Sequence, residues 1–306
     1  MDPVRFLISR TDAIGDVVVS LTLVERILSR DPSAELHFLV QARTAPILGR
    51  HPGIHAVHIR ENDAELNQLL KHIRPDAVLN LYHGDRAVIL AAKQAGVPIR
   101  VARARGLDQI LSATHILWKG RYGTGRHESQ NMLDFLKPFG WDGGWPQPPH
   151  LYLSQEERSQ GESDLAGHPH PRVGLIRRGS GAGAHPFDTW WDRMESTLRH
   201  AKWNPVVLAP AADSRLPETH LRGLMARLAA CDAVISPSTG PAHLAAALGV
   251  PLLILMGLRK NHGPDRWAPL GDRVQVVQYP GPEADLRGGM DRIPPETLLP
   301  HLDRLK

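Results

Sequence analysis

The turn Ser238-Thr239-Gly240-Pro241 has the residue types of an anion-binding site. An apolar run at residues 233–236 precedes it, and an alanine-rich helical pattern at residues 241–248 follows, with Pro241 at the first helical position. Backbone N–H groups and two hydroxyls at such a helix N-terminus suit a diphosphate. Ser238 or Thr239 could instead only cap the helix, but capping uses the same groups and does not exclude binding.

A second polar segment, Arg10-Thr11-Asp12-Ala13-Ile14-Gly15-Asp16, follows the first predicted strand. Gly15 allows the backbone to approach a substrate closely. The carboxylate of Asp16 could accept a proton from a substrate hydroxyl. Because an acidic residue is also favoured at a helix N-terminus by the helix dipole, the residues alone leave both interpretations of Asp16 open.

A third segment, from Arg177 to His185, is rich in glycine and includes Ser180 and Gly181. Glycines at alternate positions permit the backbone to wrap around phosphate or sugar oxygens. The spacing matches neither the dinucleotide-binding fingerprint nor a P-loop, which also needs a lysine. The main evidence that this segment binds a ligand is that it is predicted to lie at the same cleft as the Ser-Thr-Gly turn.

Two further places could contact a substrate. Asp213, just after a predicted strand, could bind a ribose or sugar hydroxyl, although a loop cap is the simpler interpretation. His127 and Glu128 open a predicted helix that continues to residue 139, and they form either an ordinary polar face or part of a substrate site.

Short aliphatic strands alternate with longer helical patterns, which is typical of an α/β protein with parallel sheets. The predicted strands cover residues 4–9, 35–40, 55–59, 77–82, 99–102, 173–176, 205–209, 233–236, 252–256 and 274–278. The predicted helices cover residues 17–29, 64–73, 86–95, 155–165, 188–200, 218–230, 241–248 and 295–305.

A glycine- and proline-rich stretch at residues 140–149 predicts a linker between two such domains. We assign residues 1–168 to an N-terminal domain and residues 169–306 to a C-terminal domain, with a final helix that could pack back on the first. Two doubly wound, Rossmann-like domains facing each other place a cleft at the carboxyl ends of both sheets.

The composition describes a globular protein with an aliphatic core: 306 residues, 42% hydrophobic and 22% charged. One cysteine, Cys231, fits a reducing compartment, and neither a signal peptide nor an apolar stretch of about 20 residues is present, so a cytoplasmic location is expected. None of the 17 histidines stands at recognisable ligand spacing, so no metal is expected.

The positive charge is concentrated between residues 86 and 126, where eight basic residues stand against one acidic residue, a local charge of +7 in a chain of net charge +4. Such an excess indicates either an anionic partner or a solvated basic surface. No nucleic-acid recognition motif accompanies it, so a nucleic-acid partner is not expected.

Four stretches, residues 8–52, 126–140, 179–191 and 228–257, resemble in order the ADP-heptose:lipopolysaccharide heptosyltransferases of glycosyltransferase family nine. The last of them contains Ser-Thr-Gly-Pro-Ala-His followed by Ala-Ala-Ala-Leu-Gly-Val-Pro, which is similar to the nucleotide motif of that family. The resemblance implies the GT-B fold and an inverting, metal-independent transfer that needs no cofactor. The expected donor is ADP-heptose, and the expected acceptor is a lipopolysaccharide core or a related anionic glycolipid or oligosaccharide.

The resemblance also implies roles for individual residues. Asp16 aligns with the proposed general base, and His127 and Glu128 would lie on the acceptor side. The turn from Ser238 to Pro241, with His243 just beyond it, would hold the diphosphate of the donor. The basic stretch would suit an anionic acceptor at the inner face of the inner membrane, which leaves a peripheral membrane contact open.

Two positions depart from the family pattern. Ser238 stands where many members have an aspartate that binds the sugar, and Ala184 and His185 stand where many have a lysine. His185, Arg177 or Arg178 could supply that positive charge instead. The departures keep two alternatives open: a GT-B-shaped hydrolase or epimerase of nucleotide sugars, and a sugar-nucleotide-binding protein with little activity. The sequence does not indicate an oligomeric state.

Overall fold

A computed structural model of the chain describes residues 3–118, 125–177, 185–209, 218–257, 262–278 and 289–305. The chain divides into two compact units, Met1–Pro149 and His150–Lys306. Each unit contains one parallel β-sheet with helices between its strands. The predicted fold class is therefore confirmed at the level of the two units.

The sheet of the first unit has the order β3-β2-β1-β4-β5-β6, and all of its strands are parallel. Its elements are β1 Arg5–Ser9, α1 Ile14–Ser20, α2 Thr22–Arg30, β2 Glu35–Val40, α3 Ala45–Leu48, β3 Ala56–Ile59, α4 Asp63–Ile73, β4 Ala77–Asn80, α5 Ala87–Gln94, β5 Ile99–Arg103, α6 Leu107–Ser112, β6 His115–Leu117 and α7 Glu128–Leu133. Short 3-10 helices at Ala42–Thr44 and Asp134–Phe139 complete the unit.

Strand order locates the functional edge of this sheet. The chain goes outward from β1 to β3 on one side and resumes at β4 on the other, so β1 and β4 lie on either side of a topological switch point. In doubly wound sheets, ligands bind at the carboxyl ends of the strands beside such a point. The segment after β1, which contains Arg10 and Asp16, lies at this place.

The predicted helix at residues 17–29 is observed as two helices, α1 and α2. The hydroxyl of Ser20 donates to the carbonyl oxygen of Val17 at 2.6 Å, three residues earlier. Such a bond competes with the regular helix ladder and favours a bend. Strand β6 and helix α6 were not predicted, because they are short and α6 exposes its leucines.

The sheet of the second unit has the order β11-β10-β9-β7-β8, again with parallel strands. Its elements are α8 Gln155–Asp164, β7 Arg172–Ile176, α9 Asp188–His200, β8 Asn204–Ala209, α10 Glu218–Ala229, β9 Ala233–Pro237, α11 Gly240–Ala247, β10 Leu252–Met256, α12 Pro264–Trp267, β11 Val274–Gln278 and α13 Leu299–Asp303, with 3-10 helices at Gly289–Arg292 and Pro295–Leu298. The switch point lies between β7 and β9, so the loops after these two strands mark its functional edge.

The division between the units lies at residue 149, before the predicted boundary at residue 168. Helix α8 belongs to the second unit because it packs against α10. Arg222 donates to both carboxylate oxygens of Glu157, at 2.7 and 2.6 Å, and Gly161 lies so close to Ala226 that a Cβ at this position would overlap the Ala226 carbonyl. Helix α8 thus packs on the second unit, although its polar composition does not predict a buried face.

The final helical segment also belongs to the second unit. Leu298 and Leu302 are fully buried in the core formed by β7, α9, β9 and β10. Trp190 lies in the same core and donates from Nε1 to the carbonyl oxygen of Ile293 at 2.6 Å. The apolar face of the last helix is therefore used within its own unit, and a contact of this helix with the first unit stays a prediction. Within the described part of the chain, no helix is long and apolar enough to cross a membrane.

Candidate active site

Arg10 organises the segment that follows β1. Its guanidinium is 2% exposed, and its Nε lies 2.9 Å from Oδ1 of Asp12. One terminal nitrogen donates to Oδ1 of Asp16, and the other donates to the carbonyl oxygen of Leu81, just after β4, at 3.3 Å. Arg10 therefore connects the two strand ends at the switch point and holds both carboxylates in place.

Burial alone would lower the pKa of Arg10, because it disfavours the charged form. The charges of Asp12, Asp16 and Glu128, together with the hydrogen bond to Asp16, outweigh burial and raise the pKa above its ordinary value. The guanidinium is therefore a permanent cation beside Asp16.

Asp16 lies in the first turn of α1, and its side chain is largely buried. Its Oδ1 accepts the hydrogen bond from Arg10, and among the described residues no donor reaches its Oδ2. One oxygen thus fixes the orientation of the carboxylate while the other remains available to a substrate hydroxyl. This arrangement suits a general base. Gly15 precedes it in the same turn, because α1 begins at Ile14 and not at residue 17, and its close approach to a substrate stays a prediction.

Glu128 is placed beside the same cation. It is 1% exposed at the start of α7, where its Oε1 accepts from Arg103 at 3.1 Å and its Oε2 accepts from Asn131 at 3.2 Å. Its negative charge also helps to raise the pKa of Arg10. The structure thus brings Glu128 near the Asp16 segment, although their separation in sequence is large.

His127 is buried and serves as the N-terminal cap of α7. Its ring Nδ1 accepts from the backbone N–H of Ser129 at 3.1 Å, and the backbone N–H of His127 donates to Oε1 of Gln130 at 3.0 Å. An accepting Nδ1 requires that the neutral ring carry its proton on Nε2. His127 therefore has a structural role as a helix cap, and its contact with the acceptor substrate stays a prediction.

Asp85 braces the same edge from the loop after β4. Its Oδ2 accepts from Nε of Arg60 at 3.0 Å and from the hydroxyl of Thr11 at 3.3 Å, and its carbonyl oxygen accepts from Nδ2 of Asn80 at 2.9 Å. Loops after β1, β3 and β4 are joined through this one residue. The edge is consequently a connected polar network.

In the second unit, Thr239 occupies the N-cap position of α11, which begins at Gly240. Its side chain makes no capping hydrogen bond; its Oγ1 lies 3.1 Å from Oγ of Ser236 instead. Pro241 is the second helical residue, one place later than predicted. The backbone donors of the first turn are therefore not occupied by a side-chain cap, which leaves this helix end suited to an anion.

Three other predicted donor-site residues are described. His243 is 6% exposed in α11, and Nδ1 of His185 lies 3.1 Å from the carbonyl oxygen of Pro186. Arg177 donates to Glu195 and lies 3.1 Å from Asp192, so its cation is already shared with α9. Burial lowers the pKa of Arg177, but its bond with Glu195 and the two acidic charges raise it overall. Its contact with a diphosphate stays a prediction.

Several predicted positions lie outside the described residues: Ser180, Gly181, Asp213, Arg178 and Ala184. Cys231 is buried, its Sγ donates to the carbonyl oxygen of Arg227, and burial raises the pKa of the thiol to about 12. A thiol with this pKa is not a nucleophile at neutral pH.

The residues that the sequence analysis missed are Arg10, Arg103 and Asp85. Each lies at or shortly after the carboxyl end of a strand: Arg10 follows β1, Arg103 ends β5, and Asp85 lies in the loop after β4. A charged residue at such a place in a predicted parallel sheet is the signal that could have identified them.

Comparisons with known proteins agree with this architecture. The family model described as glycosyltransferase family 9 (heptosyltransferase) matches residues 209–288. The chain is 24% identical to the lipopolysaccharide core heptosyltransferase OpsX of Haemophilus influenzae, over 99% of this chain and 91% of that protein.

Two solved structures share the fold. A glycosyl transferase of family 9 from Veillonella parvula matches with a TM-score of 0.82 at 16% identity, over 100% of this chain and 98% of the other. The ADP-heptose lps heptosyltransferase II of E. coli matches with a TM-score of 0.77 at 20% identity, over 99% of this chain and 98% of the other. The predicted fold class is confirmed by both.

Proposed function

We propose that this chain is a glycosyltransferase of family 9 and that it transfers a heptose from ADP-heptose to a lipopolysaccharide core or a related glycan. The main support for this reaction is the position of Asp16, whose carboxylate is held through one oxygen by Arg10 at the switch point of the first sheet. The donor and acceptor classes are supported by the relatives, one named as a lipopolysaccharide core heptosyltransferase and one as an ADP-heptose heptosyltransferase.

The second unit would bind the donor through the turn between β9 and α11. The uncapped first turn of α11 offers backbone donors and the positive end of the helix dipole to a diphosphate. Ser238, Thr239 and Gly240 would contact it, with His243 behind them in the same helix. Because charge on the diphosphate grows as the sugar leaves, these donors would stabilise the transition state more than the ground state.

Asp16 would act as the general base of an inverting transfer. Its Oδ2 takes the proton of the acceptor hydroxyl while that oxygen attacks the anomeric carbon of the heptose. The bond from the anomeric carbon to the diphosphate breaks on the opposite face, and ADP leaves with the electron pair. A new glycosidic bond, ADP and a protonated Asp16 result, and the transfer requires no metal ion or other cofactor in this scheme.

The acceptor would approach the first unit. Gly15, His127 and Glu128 lie at or near the carboxyl edge of its sheet, on the same side as Asp16. We propose that they position the acceptor hydroxyl, while the cations of this unit attract the anionic glycolipid. The enzyme would then act at the cytoplasmic face of the inner membrane and contact it peripherally.

The substitution Asp16→Asn tests the base. We expect turnover to fall by about 10²–10⁴-fold while the affinity for ADP stays within about twofold, because the amide cannot take the proton but occupies the same space. Asp12→Asn is the matched control, since Asp12 also pairs with Arg10, and it should lose much less. ADP release and mass spectrometry of the acceptor measure turnover, and isothermal titration calorimetry with ADP measures the affinity.

Three outcomes would contradict the proposal. Equal turnover in Asp16→Asn and the unaltered protein would remove Asp16 from the mechanism. ADP release at the same rate with and without a lipopolysaccharide acceptor would favour a hydrolase, and ADP binding without turnover over a panel of acceptors would favour a binding protein. Ser238, in place of the usual aspartate, is the residue that makes these alternatives worth testing.

A further inference from the structure

Three histidines meet at the outer edge of the first sheet, away from the candidate active site. His37 lies in β2, His58 lies in the neighbouring edge strand β3, and His55 immediately precedes β3. The ring centroids of His37 and His55 are 5.0 Å apart, and those of His37 and His58 are 5.3 Å apart. Glu35 lies two residues before His37, so both side chains are on the same face of β2.

The pairing of β2 with β3 creates this cluster. The backbone N–H of His55 donates to the carbonyl oxygen of Leu36 at 2.8 Å, which sets His55 beside Glu35 and His37. One ligand atom from each of Glu35, His37 and His55 can be chosen so that all three lie within 4.8 Å of one another. Small side-chain rotations would bring them to the separation of about 3.3 Å expected for ligands bound to one zinc ion at 2.0–2.1 Å.

His58 orients the central ligand. Its Nε2 lies 3.0 Å from Nδ1 of His37, a hydrogen bond between the two rings. An outer hydrogen bond of this kind fixes the ring orientation of metal-bound histidines and raises their basicity as ligands. His58 therefore has the place of a positioning residue, and the second nitrogen of His37 is directed by the same bond.

One nearby group opposes binding. Nε of Arg5 lies 3.2 Å from Oε2 of Glu35 and competes for its charge. The other carboxylate oxygen of Glu35 is still available, and the side chain remains partly exposed, as does His55. An ion could therefore enter from solvent, and its affinity would depend mainly on the two histidines.

We propose that Glu35, His37 and His55 form a binding site for a divalent first-row transition ion, with His58 as the residue that orients His37. Two imidazoles and a carboxylate match the preferences of Zn²⁺, Ni²⁺, Co²⁺ and Cu²⁺ rather than those of Mg²⁺ or Ca²⁺. The ligands lie toward the amino ends of β2 and β3, whereas Asp16 follows the carboxyl end of β1. The ion would therefore join two strands and take no part in glycosyl transfer.

Zn²⁺ binding to the full chain, stripped of metal and without an affinity tag, tests the site. We expect one saturable Zn²⁺ site per chain by isothermal titration calorimetry. His55→Gln should weaken it by at least about tenfold, and His58→Gln by about 10–100-fold. His200→Gln is the matched control, because His200 is an exposed histidine of the second unit, and its Zn²⁺ affinity should be unchanged.

Thermal unfolding gives a second readout that does not depend on activity. Zn²⁺ should raise the midpoint of the unaltered protein and of His200→Gln, because an ion that binds only the folded state stabilises it. At the same Zn²⁺ concentration, it should raise that of His55→Gln by less. Equal Zn²⁺ affinity in His55→Gln and the unaltered protein, or the absence of a saturable site, would overturn the proposal. Because the readouts are binding and unfolding, their failure is separable from failure of the proposed transfer.

Discussion

Arg10 is the residue on which the geometry of the first loop depends. It is almost completely buried, pairs with Asp12 and Asp16, and reaches the carbonyl oxygen of Leu81 across the switch point. A guanidinium presents its N–H donors in a rigid planar fork, whereas an ammonium is a compact charge on a flexible stem. Arg10 therefore contributes both to the stability of the first unit and to the orientation of the proposed base.

Replacement of Arg10 by glutamine should lower both the stability of the protein and its turnover. We expect Arg10→Gln to lower the free energy of unfolding by about 3 kcal/mol, because it leaves two largely buried carboxylates without their cation. Turnover should fall as well. Arg43→Gln is the control, because Arg43 is exposed and donates to this loop at the carbonyl oxygen of Asp12. The free energy of unfolding of this variant should stay within about 0.5 kcal/mol of that of the unaltered protein. Urea unfolding measures both variants, and equal stability would mean that the loop does not depend on this ion pair.

The candidate site could be predicted from the sequence only in part. Asp16 and the turn at Ser238 were identified because a small-residue turn between a strand and a helix has a recognisable pattern. Arg10, Arg103 and Asp85 were not. Each is a single charged residue at or after the carboxyl end of a strand, and only the strand order shows which of these ends lie together. The histidine cluster was missed for the same reason: His37 and His55 come together only through the pairing of β2 with β3.

At the scale of elements, the central strands β1, β4, β9 and β10 were predicted to within two residues, because each is a largely apolar run in a sheet covered on both faces. The packing of helix α8 on α10 was not predicted. Helix α8 is polar along most of its length, so nothing in its composition predicted that it would pack on α10. Its contacts, the Arg222–Glu157 pair and the close approach at Gly161, depend on tertiary structure.

Gly161 provides a test of that packing. Alanine has the higher helix propensity by about 1 kcal/mol, so propensity alone predicts that Gly161→Ala stabilises α8. A Cβ at this position would overlap the carbonyl group of Ala226, and we therefore expect the opposite, a destabilisation of about 1–3 kcal/mol.

Gly223 is the matched control because it lies in the partner helix α10 and has open space around the site of a Cβ. Gly223→Ala should stabilise the protein by about 0.5–1 kcal/mol. Thermal unfolding of the two variants should give midpoint shifts of opposite sign. A shift of Gly161→Ala toward higher temperature would show that α8 does not pack on α10 in solution.

At the scale of the whole molecule, the structure changes the meaning of the basic stretch. Several of its cations are used in ion pairs, including Arg86 with Asp108, Arg103 with Glu128 and Arg126 with Asp134. The local charge excess counted from the sequence therefore overstates the charge that reaches a partner. Carboxylates from outside the stretch neutralise part of it, which residue counting cannot show.

Two other cations of the stretch, Lys93 and Arg100, lie beside an exposed apolar surface. Leu107 and Leu111, four residues apart on α6, are 71% and 63% exposed, and Trp118 after β6 is 70% exposed. Lys93 and Arg100 donate to the carbonyl oxygens of Leu111 and Ser112 at the end of α6, and within the described part of the chain neither forms an ion pair. Apolar side chains rimmed by cations suit the interface of an anionic membrane.

We therefore expect the protein to bind vesicles that contain phosphatidylglycerol and to lose that binding as salt is raised, since charges of this kind are screened. The double variant Leu107→Glu/Leu111→Glu should bind at least about tenfold more weakly, because it removes the apolar contact and adds like charge to the lipid. Ile59→Glu is the matched control, as Ile59 is an exposed apolar residue on β3, at the opposite edge of the same sheet. Sedimentation with vesicles measures all three proteins, and an equal loss in Ile59→Glu would assign membrane binding to general surface charge instead of α6.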